Sequence, residues 1–343
     1  MRKIFVLLTM TALLALAAVP AFSQDSNTIA DIVVASAGAD EPEFATLLTA
    51  VQAADPSVLD ALSNPDVELT VFAPTDAAFA ALAEALGEEA FGALLEDTAT
   101  LTAILQYHVV PGAVMSADVV AGLEGSMMME EGEEMEDDMM GSSFFVTTAQ
   151  GIRAEVAQEA EDAPITVGGA PLNLELLDIE ADNGVIHVID AVMVPSLETV
   201  AGVVVASTEA EEAEFTTLLA AVQAADPAIL ELLADPLANI TVFAPTDAAF
   251  AALGEDTIAA VVADQAAVTG ILQYHVLPGI VYSDQVVDLV AEGAVAVEMA
   301  DGNTAEITPE LTIAGANIVL TDVETINGVI HVIDAVILPP TGE

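Results

Sequence analysis

The strongest constraint on this chain is that most of it is written twice. Residues 28–82 and 199–253 align without a gap at 36 identities in 55 positions, far beyond what shared composition produces. The block TVFAPTDAAFAAL stands unchanged at 70–82 and 241–253, ILQYHV at 104–109 and 271–276, and NGVIHVIDAV at 183–192 and 327–336. A repeat of this length is a duplicated domain, not a solenoid unit that needs neighbours to bury a core. The 343 residues agree with a prior of two domains at about 150 residues each. The boundaries that follow are 26–195 and 198–338, joined by a few residues near Pro195 to Glu198. So short a linker predicts a stiff tandem.

Within each copy the pattern runs from helices to strands. Phe44, Leu47, Leu48 and Val51 fall at i, i+3, i+4 and i+7, an apolar stripe matched by Phe215, Leu218, Leu219 and Val222. Asp55-Pro56 and Asp226-Pro227 end those helices and open short second ones. Residues 69–73 alternate as a half-buried strand, which Pro74 stops. Thr75 or Asp76 is placed to cap the next helix, whose buried side is read as Phe79, Leu82 and Leu86. Asp76 and Asp247 are therefore expected to be caps and not acids of a mechanism. A further helix carries Leu101, Ile104 and Leu105 and delivers Tyr107 and His108 at its end. Asn183-Gly184 and Asn327-Gly328 are dipeptides favoured in tight hairpins. Helices followed by hairpins predict an α+β class with an antiparallel sheet.

The order TVFAPTDAAF, Tyr-His after an apolar helix, and a closing GVIHVIDAVMVP or GVIHVIDAVILP resembles the fasciclin domain. The three blocks occur twice, and the resemblance covers nearly all of the chain past residue 26. It implies two tandem fasciclin-like domains, each an antiparallel β-wedge or sandwich flanked by helices. It also implies a non-catalytic role in adhesion or in an extracellular matrix. Ligand contacts of some animal members, carried over position by position, fall on Tyr107, His108, Tyr274 and His275, and on 186–190 and 330–334, which hold His187 and His331. The competing assignment for these six side chains is structural: His and Tyr in an Ala- and Val-rich domain bond buried backbone and pin helix to sheet.

Charge sets limits on partners. The sequence has 56 Asp and Glu against three Lys and Arg, and Arg2 and Lys3 belong to a segment with the form of a signal peptide. There a short basic region precedes the uncharged apolar run 4–19 and small residues that allow cleavage after Ala21 or Ser23. Residues 1–23 are thus expected to be removed, with the product secreted, at the cell surface or in the periplasm. The remaining base is Arg153. Nucleic acid needs basic groups to displace its counterions, so it is excluded as a partner, and anionic membranes are excluded by repulsion. The expected partner is an extracellular or cell-surface protein or polysaccharide, reached where needed through bridging divalent cations. The sequence contains no cysteine, so no disulfide or thiolate metal site is available. No cofactor is indicated. G-x-S-x-G, H-E-x-x-H, Walker and dinucleotide motifs are also lacking, and the chain is read as no enzyme. A further alternative is a hydrolase or small-ligand site built around the histidines.

One feature is not duplicated. His108 and His187 are 79 residues apart, but His275 and His331 only 56. Most of the excess is the insertion 126–143, which holds Met127, Met128, Met129, Met135, Met139 and Met140 among seven acids at 130–138. Thioethers suit Cu(I) and flexible carboxylates suit hard divalent cations, so the alternative function is an exported metal-binding protein acting through this loop. The contrary expectation is a solvated acidic loop. Asp301-Gly302-Asn303 lacks the later ligand spacing of a calcium loop and is read as a hairpin turn between 295–299 and 305–307. The sequon at Asn239 opens a core strand, a poor setting for glycosylation.

Overall fold

A computed structural model describes residues 27–39, 42–129, 142–160, 163–210, 213–291 and 293–340. The expected signal segment and residues 130–141 of the insertion lie outside them. In the first copy the helices are α1 (Ile29–Ala37), α2 (Ala45–Ala53), α3 (Pro56–Ser63), α4 (Asp76–Leu86), α5 (Glu88–Glu96), α6 (Thr98–Tyr107) and α7 (Ser116–Met129). Its strands are β1 (Leu69–Pro74), β2 (Val109–Pro111), β3 (Ser142–Thr147), β4 (Arg153–Gln158), β5 (Thr166–Val167), β6 (Ala170–Pro171), β7 (Ile179–Ala181) and β8 (Gly184–Ile189). The second copy follows with α8 (Val200–Thr208), α9 (Thr216–Ala224), α10 (Pro227–Ala234), α11 (Asp247–Leu253), α12 (Glu255–Val262), α13 (Gln265–Gln273) and α14 (Ser283–Val290). Its strands are β9 (Ile240–Pro245), β10 (Val276–Pro278), β11 (Val295–Glu298), β12 (Thr304–Thr308), β13 (Thr312–Ile313), β14 (Ala316–Thr325) and β15 (Gly328–Ile333).

Short polar side chains start several of these helices. Asp55 and Asp226 cap α3 and α10 ahead of a proline at the first helical position, where a missing N–H costs nothing. Thr75 and Thr246 cap α4 and α11 by accepting from Ala78 and Ala249 backbone N–H groups. Asp76 and Asp247 cap a different helix from the one they open. The Asp76 carboxylate accepts from the N–H groups of Ala45 and Thr46, and that of Asp247 from Thr216 and Thr217. Each thus ties the start of α2 or α9, which has no side-chain cap of its own, to the end of the adjacent strand. On α4 the predicted buried side is only partly right: Phe79 is buried, whereas Leu86 is 37% exposed.

The strand order β2-β1-β8-β7 puts β1 in the interior of its sheet, and β9 is interior in β10-β9-β15-β14-β13-β12-β11. All pairings are antiparallel except β1 with β8 and β9 with β15, which are parallel. The expectation of a half-buried first strand is corrected here, because all six residues of β1 and of β9 are buried. Val71, Ala73, Ile186 and Val188 face a core made by α1–α6. Phe72 and Ile189 face a second core shared with β4, Tyr107 and Met193. A strand packed on both faces reads as an unbroken apolar run.

The hairpin prediction shifts by one residue. Ala181 pairs with Gly184 and Thr325 with Gly328, so Asp182-Asn183 and Ile326-Asn327 make the turns and the glycines begin the strands. Glycine is required there by close approach: a Cβ on Gly184 would lie 1.8 Å from the Leu69 carbonyl oxygen, and one on Gly328 1.8 Å from that of Ile240. The asparagines serve a different purpose. Asn183 accepts from Ile29 N–H and donates to the carbonyls of Leu62 and Asn64, tying α1 and α3 to the turn. Asn327 does the same with Val200, Leu233 and Asp235. The hairpin read at Asp301-Gly302-Asn303 is present, with Glu298 opposite Thr304.

Candidate functional site

Two Tyr-His pairs close α6 and α13, and the fold turns them inward. His108 is 3% exposed and Tyr107 6%; His275 and Tyr274 are 3% and 4%. The Nε2 of His108 accepts from Met193 N–H at 2.9 Å, so the proton sits on Nδ1, which donates to the Ile104 carbonyl at 2.8 Å. His275 repeats this with Ile337 N–H and the Ile271 carbonyl. Burial holds both imidazoles well below the ordinary 6.5, at about 4, against the opposing pull of the carbonyl bond. The tyrosine hydroxyls donate to the backbone carbonyls of Arg153 and Thr304. Burial, helped by the charges of Glu324 and Glu155, pushes the Tyr107 hydroxyl up to about 12.

His187 and His331 lie on the central strands in the opposite tautomer. Their Nε2 atoms donate to the carbonyls of Val114 and Val281, and their Nδ1 atoms accept from Asp178 and Asp322 N–H. Burial lowers the His331 pKa. All six candidate side chains are therefore buried, with their polar atoms on backbone groups. Within the same stretches, Asp190 and Asp334 accept from the Asn173 and Asn317 side chains at the surface. Sequence reasoning passed over Asp178 and Asp322, which hold the starts of α7 and α14 through Ser116 and Ser283. Their one signal is position, nine residues before the second histidine of each copy.

The two copies meet around Arg153. Its guanidinium carbon lies 4.1 Å from the Phe145 ring centre of its own domain and 4.0 Å from that of Tyr282 in the other. Nη1 is 3.2 Å from Asp284, Nε 3.4 Å from Glu324 and Nη2 3.8 Å from Asp322. The Arg153 N–H donates to the Tyr282 hydroxyl at 3.0 Å. Beside it, Gln150, fully buried, donates to the Ile326 carbonyl, and Gly151 packs near Ile280 and the Asn239 carboxamide. Burial raises the Glu324 pKa although Arg153 opposes it, and raises that of Tyr282. The sequon asparagine is thus part of this junction.

No group of three or more His, Asp or Glu is disposed to hold a metal among the described residues. Of the methionine-rich stretch, Met127 to Met129 end α7, and Met135, Met139 and Met140 lie outside the described residues. Among the described residues no helix is long and apolar enough to cross a membrane.

The fasciclin domain model matches residues 42–195 and 213–339. The chain is similar to protein sll1483 of Synechocystis sp., at 40% identity over 132 residues, 37% of this chain and 68% of that one. It is 27% identical over 289 residues to the transforming growth factor-beta-induced protein ig-h3 of Sus scrofa, covering 82% of this chain and 36% of that protein. A solved FAS1 domain pair from the insect cell adhesion molecule Fasciclin I aligns over 88% of this chain and 98% of its own, at 20% identity and a TM-score of 0.34.

Proposed function

The chain belongs to the fasciclin family, and from that premise we propose that it acts without catalysis, as an exported pair of domains that binds by surface contact in adhesion or in an extracellular matrix. The observation that carries this reading is the use of the one Lys or Arg beyond residue 3. Arg153 is spent inside the junction, 16% exposed and ringed by acids. The outer surface is then acidic without a cationic counterpart. A partner of like charge, such as an acidic polysaccharide or another cell surface, is met only through divalent cations, whereas a neutral one is met directly. Fixed by its junction, the pair presents two sets of surface loops at a constant spacing, which favours simultaneous engagement of two sites over independent binding.

Attachment of cells with and without the gene, measured across a range of calcium and of NaCl, tests the proposal. Cells lacking the gene are expected to attach less, with recovery when purified protein is added together with millimolar-range calcium. Equal attachment at every calcium level would sink it. For the insertion, whose residues 126–129 end α7 and 142–143 open β3, Cu(I) binding that disappears on deletion of residues 130–141 would favour the metal-binding alternative.

A further inference from the structure

The second domain holds a cavity of about 370 Å³, within the range of small-molecule sites. It lies between α9, α11, α12 and α13 and is also lined by Val336, Leu338 and Pro339. Leu218, Phe250, Ile258, Val262, Ile271 and Val336 supply much of its wall. His275 reaches it, but both its nitrogens are taken by backbone groups, so it offers the cavity no polar hook. Exposed Thr257 and Leu338, the latter 53% exposed, mark its mouth.

The duplication explains why the space exists. Between the shared Leu82/Leu253 and Gly87/Gly254 the first copy carries Ala83 to Leu86, and the second carries nothing. Accordingly α4 has 11 residues and α11 only 7. In the gap-free stretch that follows, Phe91, Leu94 and Leu95 stand where the second copy has Ile258, Val261 and Val262. Phe91 and Leu95 pack onto the helical core of the first copy. The second copy thus lacks a helical turn and has three smaller side chains at the corresponding wall.

We infer that this cavity binds one hydrocarbon chain bearing an uncharged head group, such as the acyl chain of a neutral lipid. The wall selects for an apolar chain because a polar segment would lose its water without gaining partners. The head group is set by charge. Residues 198–343 contain no Lys or Arg, and Glu255 and Asp256 precede Thr257 at the mouth. A carboxylate or phosphate head would find acids and no base.

Calorimetric titration of the full chain with 1-dodecanol, 1-decanol and dodecanoate tests the assignment. One dodecanol per chain is expected, with each methylene removed weakening binding about fourfold, and dodecanoate bound much less tightly. Ile258→Phe, which restores the residue of the first copy, is expected to weaken dodecanol at least about tenfold by filling the space, at an unchanged or higher Tm. If that variant melts lower, Ala267→Leu on another part of the wall serves the same purpose. No dodecanol binding, a stoichiometry other than one, or equal affinity in a folded filled-cavity variant would overturn the site. Dodecanoate bound as tightly as dodecanol would overturn the uncharged head group.

Discussion

His108 and His275 are bases that the native state keeps neutral, at about 4 against the ordinary 6.5. Between those values the unfolded chain binds protons that the folded chain refuses. Their contribution to stability is therefore complete above about 6.5, falls as the pH drops, and is lost once it passes about 4, roughly 3 kcal/mol for each ring. Urea unfolding in about 1 M NaCl, where repulsion between acids is screened within ~3 Å, is expected to show that decline between pH 6.5 and 4.5. A His108→Gln/His275→Gln variant is expected to start less stable at pH 7 and to show a flatter profile. The Tyr-His pairs were visible in the sequence because they repeat. Their bonding was not, since the partner of His108 Nε2 is 85 residues away at Met193. Asp178 was harder still: in a chain with 56 acids, a single aspartate carries no local mark of what it will cap.

Helices and strands were legible where a local period or a cap defines them. The Phe44 stripe and the Asp-Pro starts became α2, α3, α9 and α10 because apolar spacing and a first-turn proline act over a few residues. The sequence reading failed where an element's neighbours decide its environment. Alternation along β1 did not show that a parallel partner would cover one edge and two cores both faces, and the Asn-Gly pairs promised a turn one residue late. Asp76 and Asp247 fall between these cases, since a helix-start signal was correct but the helix held was another. Asp247→Ala is expected to cost about 1–2 kcal/mol, with α9 losing hydrogen-exchange protection before α11 does. Equal protection of the α9 amides in the variant and the parent would count against that coupling.

At the scale of the whole molecule, we propose that the stiff tandem expected from a short linker would depend on Arg153 more than on the linker, since its side chain touches both copies. Arg153→Gln removes the cation from between two rings and leaves Asp284, Asp322 and Glu324 facing each other. We expect a loss of about 2–4 kcal/mol at the junction, read as a larger radius of gyration in solution scattering and as two thermal transitions where the parent has one. Unchanged scattering and a single transition would show that other contacts hold the pair. The parallel pairing of β1 with β8 has a consequence for the order in which the molecule is made. Leu69 waits for Gly184 and Ile240 for Gly328, so each domain's first strand, buried along its whole length, emerges from the ribosome with one edge open and stays so until nearly the whole domain has followed. An open edge of that kind invites pairing between nascent chains, and the mutual repulsion of polypeptides whose charged residues are almost all acidic keeps such chains apart during the wait.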